Sequence, residues 1–471
     1  MNDDTRARAV QAGVAQAGVA QDRMGQAGVA PSGAAQDRMG QAEPAQAEEP
    51  SGRPALPATF HRIWASAGVS ALGDGIYLSA LPLLALTMTR DPVLLGAMEA
   101  SALLPWLLFG LLGGALADRW ERRRTLWLAD LFRFALLAGL TALIAVGAAD
   151  VYLLLAVAFL LGIGQILFDT ASLAYLPELL GRDPVVLQRA NSRLQGSQQA
   201  LDGFVGPPVG SWLFTLGRAV PIVADAVSFL ASSLVIASLP RTPPKPARPH
   251  GSLLREAREG AAYLFRDKLL LGLSLRPAVG NFAFMGANAV MVLFVRQTLH
   301  LGVAAYGLYL TASAVGGLAG TAMAGFLDRR LGTGGALTLT AVVESLALLA
   351  VGLSPNAWLA GCGEAVLGMA MAITMVLGPS VRQAIVPDEL MGRVGATARI
   401  LAFSAGPAGA VLGGWLAHVA GLRAPFLFGA AVLGTMVIVA TRLTSNQRIA
   451  AALAAARDRT DEVSSASVAP A

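Results

Sequence analysis

Charge is scarce in this 471-residue chain: Asp, Glu, Lys and Arg together make up 14% of it, against about 25% in ordinary soluble domains. That scarcity excludes a soluble enzyme or a disordered scaffold as the main body. Cysteine is nearly absent. Cys362 stands alone, so no intrachain disulfide and no cysteine-built zinc site can form. The four histidines, His61, His250, His300 and His418, are scattered and share no ligand spacing. A Gly-x-x-x-x-Gly-Lys-Ser/Thr phosphate loop is missing, which argues against an ATP-driven pump in this chain. Neither His-Glu-x-x-His nor Gly-x-Ser-x-Gly occurs. No enzyme activity, cofactor or metal is expected.

What the chain has instead is apolar length. Apolar residues make up 55% of it, before 52 glycines are added. About twelve spans of ~20 residues would need ~240 residues, and the apolar content covers that. The runs are long rather than short and alternating, which excludes a transmembrane barrel. The expected spans are 62–88, 93–117, 125–148, 151–176, 195–217 and 219–239, then 269–295, 303–327, 334–353, 357–380, 395–418 and 424–443. The fold class is therefore an all-α membrane protein of twelve transmembrane helices. Residues 1–58 carry near-repeats, Gln-Ala-Gly-Val-Ala at 11–15, 16–20 and 26–30, with no aromatic before Phe60. They read as a disordered tail without the pattern of a signal peptide. A Pro-rich polar stretch, 240–268, separates two sets of six spans and ends in a short amphipathic segment from Ser252. Residues 444–471 form an Ala-rich, charged tail.

The net charge of +5 sits in short loops, where it signals topology rather than a nucleic-acid partner. With the N-terminus inside, the inner loops hold nineteen Lys and Arg and the outer loops four, Arg90, Arg218, Arg296 and Arg423. Both termini are thus expected on the cytoplasmic side of a cell membrane. The two sets of spans also resemble each other. Gly114-Ala-Leu-Ala-Asp118-Arg119 matches Ala324-Gly-Phe-Leu-Asp328-Arg329, and Gly210-Ser-Trp212-Leu213 matches Gly413-Gly-Trp415-Leu416. Both repeats lie about 200 residues apart, implying parallel six-helix halves, 59–239 and 269–443, with a substrate site between them.

The strongest local pattern is Gly113-Gly-Ala-Leu-Ala-Asp118-Arg119-Trp120-Glu121-Arg122-Arg123-Arg124. It resembles the signature between spans 2 and 3 of the major facilitator superfamily, through Gly114, Asp118, Arg119, Arg123 and Arg124. The signature's second glycine is Glu121 here. A carboxylate at a helix end, facing an opposing helix N-terminus and nearby Arg, can act as a breakable latch between halves. Gly203-Phe-Val-Gly206-Pro207-Pro208-Val-Gly210 looks like the Gly-Pro-rich motif of superfamily efflux proteins, with Ser211 in place of its last glycine. Gly206, Pro207 and Gly210 there allow close helix packing and a bend. Ser70 to Gly75, Leu176-Pro177-Glu178, Ala190-Asn191 and Glu259-Gly260 to Arg266-Asp267 together resemble the enterobactin-exporter and macrolide-efflux branch. The fourth-span Arg of many drug–proton antiporters has no counterpart in Leu155–Phe168, so the usual proton relay does not carry over.

Charges inside spans are costly and mark function or pairing. Asp74, flanked by Gly73 and Gly75, is the first candidate for proton coupling, followed by Asp202, one turn before the Gly-Pro motif, then Asp225 and Glu364. Asp169 is a weaker candidate, and Glu99 is placed near the outer mouth. Arg276, Glu344, Arg382 and Arg399 are the remaining intramembrane charges of the second half. Asp130 and Arg133 are three apart on one helix face and are expected to pair. Asn281 and Asn288 share a face two turns apart, either lining a polar pore or bonding between helices. Trp106, Phe109, Phe282, Phe284 and Met285 are candidates for an apolar cavity. The resemblance implies export of amphipathic small molecules (a drug, macrolide or siderophore) by proton antiport. Protons, a small-molecule substrate and the lipid bilayer are the expected partners, for a monomer. The rival readings are an importer of a nutrient or lysolipid and a non-transporting receptor or scaffold.

Overall fold

The computed structural model describes residues 56–117, 121–181, 183–239 and 253–468, and every regular element among them is a helix. Several starts are set by short polar side chains. Asp150 accepts from the Leu153 N–H at 2.8 Å, Asp183 from Val185 at 2.8 Å, Asp267 from Leu269 at 2.8 Å and Asn356 from Leu359 at 2.9 Å. Each satisfies an N–H that the helix itself cannot. The order is α1 Ala58–Met88, α2 Pro92–Ala117, α3 Arg122–Ala145, α4 Val151–Leu180, α5 Pro184–Ala200, α6 Gly206–Leu216 and α7 Val220–Ala237. Then come α8 Leu253–Arg266, α9 Lys268–Asn288, α10 Val303–Leu353, α11 Ala357–Ile385, α12 Asp388–Ala420, α13 Ala424–Leu443 and α14 Asn446–Val468.

Ten of these helices are long and apolar enough to cross a bilayer. They expose large apolar side chains such as Trp358, Leu308 and Leu234, as lipid-facing helices do. Nine of them each match one expected span, and α10 holds two. The expected spans 303–327 and 334–353 fall in one 51-residue helix, α10. Straight, it would run about 76 Å, far beyond a ~30 Å hydrocarbon core. It is not straight. Along α11, Gly316 packs on Ala365 and Gly320 on Met369, numbers rising together. Past Gly332, Val351 packs on Gly363 and Glu344 meets Thr374, numbers running oppositely. The chain therefore reverses at Gly332, whose φ of 71° is left-handed and suits glycine. Asn446 holds the reversal, accepting from the Gly334 N–H at 2.7 Å and donating to Leu331 O at 2.8 Å.

The expected span 195–217 is divided. A π-helical turn, Leu201–Val205, separates α5 from α6. Pro207 and Pro208 follow at once, and proline has no N–H for the regular ladder, so the register slips there. The span expected at 269–295 breaks after Asn288 and resumes as a short turn and a π-helical turn, Phe294–Thr298. The expected 125–148 span ends at Ala145, two residues before Gly147 turns left-handed at φ 74°. The expected 395–418 helix begins earlier, at Asp388.

The amphipathic segment of the linker is α8. It buries Leu264, and its Glu259 accepts from Arg393 at the base of α12 at 2.7 Å. Beyond the last span, α14 lies against α10 and α11, and Arg459 donates to Ile385 O at 3.1 Å.

The largest apolar core fills one end of the bundle, near the loops 89–91, 146–150, 217–219 and 299–302. It joins Leu81, Leu84 and Leu95 to Val290, Phe294, Leu348 and Phe426, so helices from both sides of the linker close that end.

Candidate transport cavity and buried charge networks

Opposite the closed end lies a cavity of about 790 Å³. One wall is Trp106 and Leu107 of α2 with Asp169 and Thr170 of α4. The other is built by α9, α11 and α12, through Arg276, Thr374, Met375, Arg382, Arg399 and Phe403 among others. Trp106 stacks on Phe403 across the two sets of helices, with centroids 5.9 Å apart and planes 22° apart. That volume suits a drug-sized ligand, and its mixture of apolar walls and few polar groups is typical of small-molecule sites.

Two buried ionic networks flank the cavity. The first is centred on Arg133, which is 1% exposed. It pairs with Asp130 on its own helix face and donates to Gln165 Oε1 at 2.6 Å. Gln165 in turn donates to Asp169 Oδ1 at 2.9 Å. Ser232 of α7 donates to the second Asp130 oxygen at 2.5 Å, and Ser66 of α1 meets Ser232 at 2.8 Å. The guanidinium is sandwiched between Phe229 and Phe168, at 4.3 and 4.8 Å from their centroids. Such a buried charge needs this degree of satisfaction to persist in low dielectric.

Asp74 and Asp225 meet at the crossing of α1 and α7. A Cβ at Gly73 would lie 2.5 Å from Asp225 Oδ1, so the chain beside Asp74 is pressed onto that carboxylate. Asp225 is 1% exposed and takes a hydrogen bond from Ser228 at 3.3 Å. Asp74 makes no hydrogen bond among the described residues and lies within electrostatic range of Arg133, Asp202, Asp130 and Asp169. Asp202 sits in the π-helical turn, where its backbone packs on Gly75. Four carboxylates, Asp74, Asp130, Asp169 and Asp225, thus lie within electrostatic range of one guanidinium, and Asp130 alone pairs with it.

The second network lies across α9, α10 and α11. Arg276 donates to Thr340 Oγ1 at 2.6 Å and to Glu344 Oε1 at 3.1 Å, and Thr374 donates to the same Glu344 oxygen at 3.0 Å. The Nε and Nη1 of Arg276 remain buried without a partner. Glu364 of α11 is separate from this network. It is 4% exposed, its Oε1 has no partner, and Tyr306 and Tyr309 of α10 are its electrostatic neighbours.

Two further candidates are placed differently from a pore lining. Asn281 donates to Ala402 O at 3.0 Å, and Asn288 donates to Glu99 Oε1 at 2.8 Å. Both amides are used between helices, and neither faces this cavity, whereas Trp106 does. The Asn288–Glu99 bond ties α9 to α2 near the closed end. In the Gly-Pro motif, a Cβ at Gly206 would lie 2.5 Å from Gly75 Cα, and one at Gly210 2.3 Å from Ile76 O. Pro207 adds a contact outside its own set of helices, since its carbonyl lies where a Cβ of Gly307 would point.

In the loop signature, Asp118 and Arg119 lie outside the described residues. Gly114 is in the last turn of α2. Arg123 donates to Ile236 O at 3.3 Å and Ala237 O at 2.5 Å, satisfying the carboxyl end of α7. Arg122 pairs with Glu178 of α4, and Arg124 is exposed.

Sequence reasoning missed several partners. Gln165, Ser66 and Ser232 complete the Arg133 network, and Thr340 and Thr374 complete that of Arg276. One signal was present: Asp225, Ser228 and Ser232 follow at three and four residues, one polar face of an apolar helix. Arg382 and Arg399, expected among the intramembrane charges of the second half, stand on the cavity wall.

The sequence and fold have known counterparts. The family model described as transmembrane secretion effector matches residues 53–469. The chain is 30% identical over 371 residues to the multidrug efflux pump Tap of Mycolicibacterium fortuitum, covering 75% of this chain and 88% of the relative. It is 23% identical over 402 residues to macrolide efflux protein A of Streptococcus pyogenes, covering 83% and 97%. Among solved structures it resembles a bacterial homologue of the iron transporter ferroportin in an inward-facing state, at TM-score 0.68 and 15% identity, covering 83% and 100%. It also resembles the nucleoside transporter NupG, at TM-score 0.63 and 15% identity, covering 82% and 99%. At such low identity the structural likeness speaks for the fold alone. All-helical architecture, apolar spans and a match over nearly the whole helical body agree: the chain belongs to the transmembrane secretion effector family of membrane transporters, on the major facilitator fold.

Proposed function

We propose that this protein is a secondary active exporter of amphipathic small molecules, of drug, macrolide or siderophore character, driven by proton antiport. The observation that carries the reading is the cavity: helices from both sides of the linker line it, while the same helices seal the opposite end. A site closed at one end and reachable from the other is what alternating access requires, with the halves 59–239 and 269–443 rocking about it. The names of the efflux relatives support export as the direction. The loop charge asymmetry supports a cell membrane location with both termini cytoplasmic, the cavity then facing the cytoplasm. Residues 1–58, 240–268 and 444–471 are the cytoplasmic tail, linker and second tail in this reading.

Coupling is assigned to the carboxylates around Arg133. Four acids beside one guanidinium leave an excess of negative charge in a low-dielectric interior, which a bound proton relieves. Asp74 is the first choice because it makes no hydrogen bond among the described residues. Asp202 and Asp225 beside it, and Glu364 across the bundle, are the alternatives. The 113–124 loop serves as the latch that closes the cavity end in the other state. Meanwhile Arg122 and Arg123 are held within the first half, on α4 and α7.

Efflux of a fluorescent amphipathic dye from energised cells tests this, with and without an uncoupler, for wild type and Asp74→Asn. Uncoupler-sensitive efflux that Asp74→Asn abolishes is expected. Uncoupler-insensitive efflux refutes proton antiport, and dye accumulation in place of efflux refutes export.

A further inference from the structure

Charge on the cavity wall is one-sided. Three guanidiniums line it, Arg276 from α9, Arg382 from α11 and Arg399 from α12, against one carboxylate, Asp169. Asp169 is already engaged by Gln165, which hangs from Arg133. Arg276 is 5% exposed and holds two buried N–H groups, Nε and Nη1, that nothing in the protein accepts. Arg382 and Arg399 stand close enough to repel each other, and no carboxylate pairs with either among the described residues. Arg382 is half-buried and Arg399 exposed, so both heads can be reached by a ligand, and the fork geometry of Arg matches carboxylate, sulfonate or phosphate oxygens. Beside them, the stacked Trp106 and Phe403 and the flexible Met375 and Met391 offer a flat, polarisable apolar surface.

We infer that the cavity selects anionic amphiphiles: molecules with an aromatic or apolar body held at Trp106 and Phe403 and one compact anion held by Arg382 and Arg399. The inference rests on the export reading of the same cavity and narrows its substrate class. It sets this protein apart from a carrier of cationic drugs, whose ammonium these arginines would repel. Arg276 adds positive charge to the same wall, and its contact with Glu344 keeps it in place.

Three probes sharing one fluorophore test the inference: dansylglycine carries a carboxylate, dansylamide is neutral and dansylcadaverine carries an ammonium. Binding to the full chain in phosphatidylcholine nanodiscs is followed by energy transfer from tryptophan, so neither detergent nor lipid adds net charge. Dansylglycine is expected to bind at least about tenfold tighter than dansylcadaverine, the discrimination of ~1.4 kcal/mol. Arg382→Gln/Arg399→Gln is expected to remove most of that preference. Arg382→Lys/Arg399→Lys keeps part of it, which separates lost charge from lost folding. Equal affinities, tighter binding of the ammonium probe, no binding of any probe, or a preference unchanged in the Gln variant each overturn the inference. Uptake into inverted vesicles separates the two readings. Charge-selective binding with no uptake of any probe sinks export and leaves the anion site standing. Equal uptake of all three sustains export and sinks the anion site.

Discussion

Replacing Arg133 alone isolates the energetics of the first charge network. The side chain is 1% exposed, touches Asp130 and Gln165, and lies between two phenyl rings. Arg133→Met keeps the length and removes the charge, leaving Asp130, at 0% exposure, with the Ser232 bond alone. Breaking a buried pair from one side costs about 3–5 kcal/mol, because the abandoned charge stays desolvated. Asp130→Asn is expected to cost about 3 kcal/mol by the same argument from the other side. Removing both charges is a different perturbation. Asp130→Asn/Arg133→Met loses the two ring contacts, about 1–2 kcal/mol together, and leaves no charge stranded at position 130. The double variant should therefore be more stable than either single one, with a coupling energy of at least ~3 kcal/mol. Reversible unfolding of the reconstituted protein, by steric trapping in bicelles, measures all three. Additive losses, or an Arg133→Met cost below ~1 kcal/mol, would refute the account of Arg133 as the shared counter-charge.

Asn288→Ala removes the hydrogen bond to Glu99 near the closed end and loosens that seam by about 1.5–3 kcal/mol; spin labels at loops 89–91 and 421–423 in a Cys362→Ser background should show a larger open population, and unchanged distances would contradict the seam. Gly332→Ala forces a side chain into φ 71° and against Asn446, where its Cβ would lie 2.7 Å from Oδ1; thermal unfolding should report a loss of about 1–3 kcal/mol. Asn446→Ala should cost about 1–2 kcal/mol at the same turn, and little more when added to Gly332→Ala, since both act on one reversal. Gly206→Val should sharply lower the yield of monodisperse protein by wedging α6 off α1 at the Gly75 crossing, while Gly361→Ala, with open space around it, should leave the yield unchanged.

Sequence by itself determined the class of molecule. Fourteen per cent charge, 55% apolar residues and uninterrupted apolar runs admit only helices in a bilayer, because lipid offers the backbone no hydrogen-bond partner. The i,i+3 spacing of Asp130 and Arg133 placed both on one helix face, a local fact that needs no tertiary information. The Gly-Pro motif announced a close crossing, since only small residues permit one.

Tertiary structure decided everything that depends on which helix lies beside which. No spacing says that Ser232, about a hundred residues on, completes Asp130, or that Gln165 passes Arg133's hydrogen bond to Asp169. Asn281 and Asn288 are alike in sequence, yet one bonds a backbone carbonyl and the other a carboxylate from the far side of the linker. Whether Arg382 and Arg399 fall on the cavity wall or away from it is fixed by how α11 and α12 rotate against α9. Periodicity cannot reveal that rotation, because a helix apolar on nearly every face carries no signal of which face is inside.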